Sequence, residues 1–397
     1  MTMNRIDTSA DFRTLPSSVI PLVDSAAHGV QHGGPDAGGV PVHDFSTNSN
    51  ACGPCPEALR AVQSADPTRY PDPAYTALRH ALGAFHGVAA HRIVVAGSAS
   101  EFIHRITTLA VHRDARTVAL PAHSYGDYAH AAQVNGLRQL LPGDCGHGDA
   151  SLQWACEPSS PLGLPDPAWT AWNSERALRA LLDEPVSDFE KPLRVLDCAY
   201  APLRFSLGVE KPLNTADRSN VDARQPVVWG VPEVPGTWQL WTPNKALGLT
   251  GVRAAYAIAP HADAANRLMA LAPSWPAGAH GVAMLAAWLQ PSVQRWLADV
   301  LPLLQGWKLR QQVLCSALDW VECEGSTANF FCVRPPQERL SERLSFLRAA
   351  GIKVRECSSF GLSGVLRLGV LAPSSQDALQ KFWLEACRAI PSARNRS

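Results

Sequence analysis

A chain of 397 residues with 46% apolar and 18% charged residues has the composition of a globular protein with a substantial core, long enough for two or three compact units and unlike a disordered chain. Lys+Arg and Asp+Glu both number 35, so no charge excess points to nucleic acid or an anionic membrane surface as a partner. No apolar run approaches the ~20 residues of a transmembrane helix, and the first ten residues lack a signal peptide's apolar core, so the cytoplasm is the expected compartment.

Residues 1–45 read as an arm: Ala26-Ala-His-Gly-Val-Gln-His-Gly-Gly34 is rich in Gly and His without sustained periodicity. A helix is predicted across Pro56–Val62. It is followed by an irregular turn, Asp66–Pro73, fixed by three prolines, and by helical spacing over Ala74–His86. Strands then alternate with helices. Ile93–Ala96, Thr117–Leu120, Leu152–Cys156, Leu193–Asp197, Val227–Trp229, Gln239–Trp241 and Val252–Ala259 are the predicted strands. Phe102–Val111, Tyr125–Val134 and Glu175–Leu182 are the helices between them, and Phe205–Gln225 is a polar surface connection. This alternation predicts an α/β protein whose large unit, 46–265, holds a mainly parallel sheet covered on both faces. Its site belongs beyond the carboxyl ends of the strands.

After Pro260 the spacing becomes helical over His261–Leu271, Gly281–Leu289 and Val293–Trp320, the last interrupted or kinked at Pro302 and Gly306. Strands at Asn329–Val333, Lys353–Cys357 and Val365–Val370, with helices at Arg339–Ala350 and Gln376–Arg388, make 266–397 a smaller α+β unit.

Ten scattered cysteines, many in apolar company such as Phe331-Cys332-Val333, suit reduced, buried thiols. Cys52-Gly-Pro-Cys55 is formally a C-x-x-C. It lacks a second pair at zinc spacing and the strand-to-helix setting of a redox motif, so it reads as a loop.

Several residues could carry chemistry. Gly97-Ser-Ala-Ser100 lies between a buried strand and a helix, where backbone N–H groups suit a phosphate or a plain serine cap. No dinucleotide or nucleoside-triphosphate fingerprint is present. Asp197 closes an apolar strand, either as a partly desolvated acid needing a cationic partner or as a solvated one. Tyr125 follows a strand and could stack on a planar ring or fill the sheet–helix interface. Arg367 is a charge inside the apolar Val365–Val370, which calls for an anion such as a substrate carboxylate. Arg355 suits a second anion or a surface ion pair. Lys245, in Trp241-Thr-Pro-Asn-Lys-Ala-Leu-Gly-Leu-Thr-Gly-Val-Arg253, taken alone is a surface lysine, and His32 taken alone is a solvated histidine.

In this order and spacing the pieces resemble the fold-type I aminotransferases that use pyridoxal phosphate. The resemblance runs from about His32 to the end of the chain. Within that family they look most like the branch of histidinol-phosphate aminotransferases and threonine-phosphate decarboxylases. Two features tilt the resemblance toward the decarboxylases of cobalamin biosynthesis: His32-Gly-Gly34 followed by Asp44-Phe-Ser-Thr-Asn-Ser-Asn50, and Val354-Arg-Glu-Cys357 followed by Phe360-Gly-Leu362. A third reading is a protein of this fold that has lost its chemistry and acts as a partner. The turn Arg69-Tyr-Pro-Asp72 matches both enzyme groups.

The resemblance implies pyridoxal 5'-phosphate, a small phosphorylated amino-acid substrate and a homodimer. It makes Lys245 the Schiff-base lysine and proton carrier, Asp197 the partner of the pyridine nitrogen, and Tyr200 the donor to the ring hydroxyl. Tyr125 would stack on the ring. Ser98, Ala99 and Arg253 would hold the cofactor phosphate, and Tyr70 would reach that of the neighbouring subunit. Arg367 would bind the substrate carboxylate, Arg355, helped by His32, would face the substrate phosphate, and Asn50 would belong to the substrate site. Two positions depart from the family's usual residues: Ser160 replaces an asparagine beside the ring hydroxyl, and Asn244 replaces a serine or threonine before the lysine.

Overall fold

Side chains alternate between two cores along each central strand, and that alternation dictates a three-layer arrangement. The computed structural model describes residues 33–174, 192–205, 231–323 and 325–391. Strands β1 (His43–Asp44), β2 (Ile93–Ala96), β3 (Thr117–Ala119), β4 (Arg138–Leu140), β5 (Leu152–Cys156), β6 (Leu193–Asp197), β7 (Thr237–Trp241) and β8 (Ala255–Ile258) come first in the chain. All but β1 join one seven-stranded sheet of order β2-β8-β7-β6-β5-β3-β4. Its pairs are parallel except where β8 runs against β2 and β7.

In β2, Ile93 and Val95 face one core while Val94 and Ala96 face the other. In β8, Tyr256 and Ile258 are set against Ala255 and Ala257 in the same way. Helices Ala99–His112, Gly126–Val134 and Ala262–Met269 cover one face with Phe102, Ile103, Ile106, Tyr128 and Leu268. Thr76–His86 and Ala279–Trp288 cover the other with Leu78, Leu82, Phe85, Met284 and Trp288. That second core continues without a break into the C-terminal part.

The C-terminal strands are β9 (Val321–Cys323), β10 (Phe330–Arg334), β11 (Ile352–Lys353), β12 (Arg355–Glu356) and β13 (Leu366–Gly369). Four form an antiparallel sheet of order β12-β13-β10-β9, with the helices Leu340–Ala349 and Pro373–Ala389 beside it. Strand β11 pairs instead with β1, in parallel, so the start of the described chain is stitched to its C-terminal part. Arg348 and Lys353 add ion pairs to Asp36 at 2.6 and 2.9 Å. Among the described residues no helix is long and apolar enough to cross a membrane.

Several expectations change. The stretch Lys353–Cys357 is not one strand: its two halves pair with different partners on either side of Val354. The helix expected to be interrupted or kinked at Pro302 and Gly306 is not interrupted: it runs over Pro291–Ala317, 27 residues, with Pro302 inside it. Its stripe of Val293, Leu297, Leu304 and Leu314 is buried, and that burial offsets a proline cost of about 3 kcal/mol. The helix Pro167–Trp172 and strands β1, β4 and β9 were not predicted, being short and weakly patterned. Glu175–Leu182 and Val227–Trp229, and all but the first residue of Phe205–Gln225, lie outside the described residues.

Candidate active site

Strand direction alone gathers most of the candidate residues at one edge of the large sheet. Strands β2, β3, β5, β6 and β7 all point the same way, so the segments after Ala96, Ala119, Cys156, Asp197 and Trp241 emerge together. Because β8 is antiparallel, its beginning, just after Arg253, lies at that same end. Ser98, Tyr125, Ser160, Asp197, Lys245 and Arg253 all sit on these segments. This is the carboxyl-end rule for open sheets, with the reversed strand contributing from its amino end.

Asp197 is the last residue of β6 and is buried, which corrects the alternative of a solvated acid. Its Oδ2 accepts from the Tyr128 hydroxyl at 2.6 Å and its Oδ1 from the Ala199 N–H at 2.9 Å. Burial pushes its carboxyl above the usual range, while the Tyr128 hydroxyl and the positive charge of Lys245 pull it back. Tyr128 lies flat on Trp154, with ring centroids 4.3 Å apart.

Lys245 follows β7 in a turn that is clamped from outside. Its carbonyl accepts from the Asn50 N–H at 2.9 Å, the Ala246 carbonyl from Asn50 Nδ2 at 2.9 Å, and the Leu247 carbonyl from the Cys55 N–H at 2.8 Å. Gly248 closes the turn at φ +69°, and a Cβ there would lie 3.0 Å from the Cα atoms of Gly53 and Pro54, so glycine is required. The C-x-x-C stretch is thus half of a backbone clamp. Asn50, which the resemblance sets in the substrate site, has both side-chain ends occupied, its Oδ1 accepting from the Cys52 N–H. The Lys245 amine lies 4.9 Å from the centroid of the Tyr200 ring, and the Tyr200 hydroxyl accepts from Asn48 Nδ2 at 3.2 Å.

The helix Ala99–His112 begins at Ser98, whose hydroxyl accepts from the Glu101 N–H, so the plain-cap reading holds for that side chain. A Cβ on Gly97 would lie 2.5 Å from the Pro276 carbonyl oxygen, so only glycine lets these two loops approach. Tyr125 ends the neighbouring loop 3.4 Å from the Ser100 hydroxyl, and burial raises its phenol above the ordinary range. Arg253 is exposed, and its charge reaches Tyr125. Asn244 places its Nδ2 3.5 Å from the Val252 carbonyl, and its Oδ1 is buried with no partner among the described residues.

On the small sheet, Arg355 and Arg367 are directly opposite each other in the β12–β13 ladder, and both are buried. Burial rules out the surface ion pair for Arg355. Arg367 donates from Nη1 to the Ser160 hydroxyl at 3.2 Å and from Nη2 to the Ser46 carbonyl at 3.1 Å, leaving its buried Nε without a partner among the described residues. Arg355 donates from Nη2 to the Ser359 hydroxyl at 2.7 Å. The structure therefore brings Ser160 to Arg367. Tyr70 stands apart, 77% exposed and stacked on Trp275. His32 lies outside the described residues. Sequence reasoning missed Tyr128, Asn48 and Ser46. Tyr128 was within reach, since it falls one helical turn after Tyr125.

This donor set fits pyridoxal phosphate on three counts. A buried carboxylate held by neutral donors suits a protonated pyridine nitrogen, an amine stands over the neighbouring tyrosine ring, and the start of the helix Ala99–His112 suits a phosphate.

Comparison with known proteins agrees with this arrangement. A histidinol-phosphate aminotransferase of Archaeoglobus fulgidus is 27% identical over 366 residues, 87% of this chain and 98% of its own length. Another from Caulobacter vibrioides is 26% identical over 350 residues, 84% of each chain. The fold matches the histidinol-phosphate aminotransferase of Sinorhizobium meliloti, solved with pyridoxal-5'-phosphate, at a TM-score of 0.68 and 20% identity, over 97% of this chain and 100% of that one. It also matches the L-threonine-O-3-phosphate decarboxylase of Porphyromonas gingivalis at a TM-score of 0.65 and 19% identity, over 87% and 99%. The aminotransferase class I and II family matches residues 40–149 and 197–384, the stretches that carry Lys245, Asp197, Tyr125 and both arginines, and the chain is a member of that family.

Proposed function

We propose that this enzyme decarboxylates L-threonine O-3-phosphate to (R)-1-aminopropan-2-yl phosphate, a reaction that serves cobalamin biosynthesis. Its cofactor is pyridoxal 5'-phosphate, and when bound that group supplies an electron sink for the pair released as a bond to the substrate α-carbon breaks. The observation that carries the reading is the buried Arg355–Arg367 pair, two guanidiniums on directly opposed residues. Threonine phosphate bears a carboxylate and a phosphate on neighbouring carbons, and a pair of adjacent arginines suits two such anions.

In this reading Arg367 binds the carboxylate and Arg355 binds the phosphate. Together they set which bond of the α-carbon is aligned for cleavage. Asp197 holds a proton on the pyridine nitrogen. Tyr200 donates to the ring hydroxyl, Tyr125 covers the ring, and Ser98, Ala99, Asn244 and Arg253 hold the cofactor phosphate. Once carbon dioxide has left, the Lys245 amine returns a proton to the α-carbon. Tyr70 reaches the phosphate of a second copy of the chain, so the enzyme works as a homodimer. We assign it to the cytoplasm, with which ten free cysteines agree. The large unit is 46–265 and the small one 266–397.

A second reading is transamination of histidinol phosphate or a related amine, favoured by relatives of that name that align over most of their length. The test is release of carbon dioxide from threonine phosphate with no keto acid present. Turnover that requires a keto acid would replace the first reading with the second.

A further inference from the structure

Asp197 sits in an environment that works against its charge. Its neighbours within hydrogen-bond distance are the Tyr128 hydroxyl at 2.6 Å and the Ala199 N–H at 2.9 Å, both neutral. The backbone donor is fixed by the chain and does not depend on side-chain identity. The phenol is the one adjustable donor of the two, and three features hold it in place. Tyr128 is fully buried, its ring is stacked on Trp154 at 4.3 Å and 11°, and the ring of Tyr125 meets it edge-on at 5.9 Å. Trp154 and Asp197 are carried by adjacent parallel strands, with Trp154 in register with Val195 and Cys156 with Asp197. The phenol and its carboxylate are thus positioned by the same sheet.

We propose that Tyr128 is a positioning residue that, through its hydrogen bond to Oδ2 and its stack on Trp154, keeps Asp197 ionised and aligned as the partner of the pyridine nitrogen. A donor to a carboxylate lowers that carboxylate's affinity for a proton. When Asp197 and a ring nitrogen share one proton, Tyr128 biases it toward the nitrogen, which is the form that withdraws electrons. Without the phenol, burial dominates and the proton moves toward Asp197. The charged and titratable groups around the pair are Lys245, Cys156, Cys198 and Tyr125. All four remain when Tyr128 becomes phenylalanine.

This inference rests on Asp197 being the nitrogen's partner, and the experiment separates the two. Tyr128→Phe, Asp197→Asn and the double variant are loaded with pyridoxal phosphate labelled with 15N in the ring. The 15N shift and the cofactor dissociation constant are measured, with unfolding of each apo protein as a check on the fold. Tyr128→Phe is expected to move the 15N shift toward the unprotonated value and to weaken cofactor binding about tenfold. The same substitution made in Asp197→Asn is expected to change neither. Equal effects of Tyr128→Phe in both backgrounds, or a wild-type 15N shift in Tyr128→Phe, would overturn the role of Tyr128. A wild-type shift in Asp197→Asn would overturn the assignment of Asp197 itself. If Tyr128→Phe does not fold, Trp154→Phe loosens the same phenol and must move the 15N shift in the same direction.

Discussion

The guanidiniums of Arg355 and Arg367 both lie over the ring of Phe360, at 4.9 and 5.7 Å from its centroid. Two like charges are held this close because each has fixed neutral acceptors, Ser359 for one and Ser160 with Ser46 for the other. Burial and then the charge of Arg367 lower the pKa of Arg355. A pair under such mutual repulsion gains most from a ligand that brings two negative groups.

That gain sets the first expectation. Arg367→Gln should raise KM for threonine phosphate by about 10–100-fold, the value of one or two charge-assisted hydrogen bonds. Arg355→Gln should weaken threonine phosphate far more than unphosphorylated threonine. Steady-state kinetics with both amino acids measures this, and equal losses for the two would remove the phosphate from Arg355.

Lys245→Ala should fold normally, because the clamp on its turn uses backbone carbonyls and not the amine. It should nevertheless lower turnover by about 10²–10⁴-fold or more, the loss expected when a positioned proton carrier is removed. Its visible absorption band near ~420 nm should vanish. Absorption spectra and urea unfolding of the same samples test both halves of this expectation.

Gly97→Ala should be poorly tolerated. The added Cβ meets the Pro276 carbonyl oxygen at 2.5 Å, a backbone atom that no side-chain rotation can move, and the two loops must part. A loss of about 1–3 kcal/mol is expected, together with weaker cofactor binding. A variant as stable as the parent would show that the Pro276 loop yields freely.

Lys308 gives a pH signature. It is buried, donates to the Ser326 and Ala328 carbonyls, and burial lowers its pKa from 10.5 to about 8. Between those two values the unfolded chain binds a proton that the folded one does not, so this group makes stability rise with pH. Below about 8 the charge is carried in both states and the contribution is flat at its least favourable. Relative to Lys308→Met, the native protein should therefore gain stability between pH 7.5 and pH 9.5 in urea unfolding. A constant difference would place the amine in solvent.

Much of the scaffold was legible because the central strands are short, mostly apolar runs bounded by turns, as in Ile93–Ala96 and Leu193–Asp197. The burial of Arg367 was legible too, as a charge inside an apolar run where solvent alone would not hold it. What sequence did not show was pairing across the chain. Nothing near Val354 says that its two sides join different sheets, and nothing near Tyr128 says that its hydroxyl meets a carboxylate 69 positions away. Asn50 has a further lesson. A polar residue in a motif can serve the backbone of a neighbouring turn, as Asn50 serves that of Lys245.

The seam between β1 and β11 ties the start of the described chain to its C-terminal strands. Phe45 donates its N–H to the Lys353 carbonyl and accepts from the Gly369 N–H, and Asn329 donates to the carbonyls of Asn48 and Ser49. One residue later, Asn50 belongs to the turn of Lys245. A rotation of the C-terminal sheet would therefore carry Asp36–Ser49 with it as a strap, and the strap would flex at the link between Ser49 and Asn50. Closing onto a ligand and shifting Asn48 against the Tyr200 hydroxyl would then be one motion.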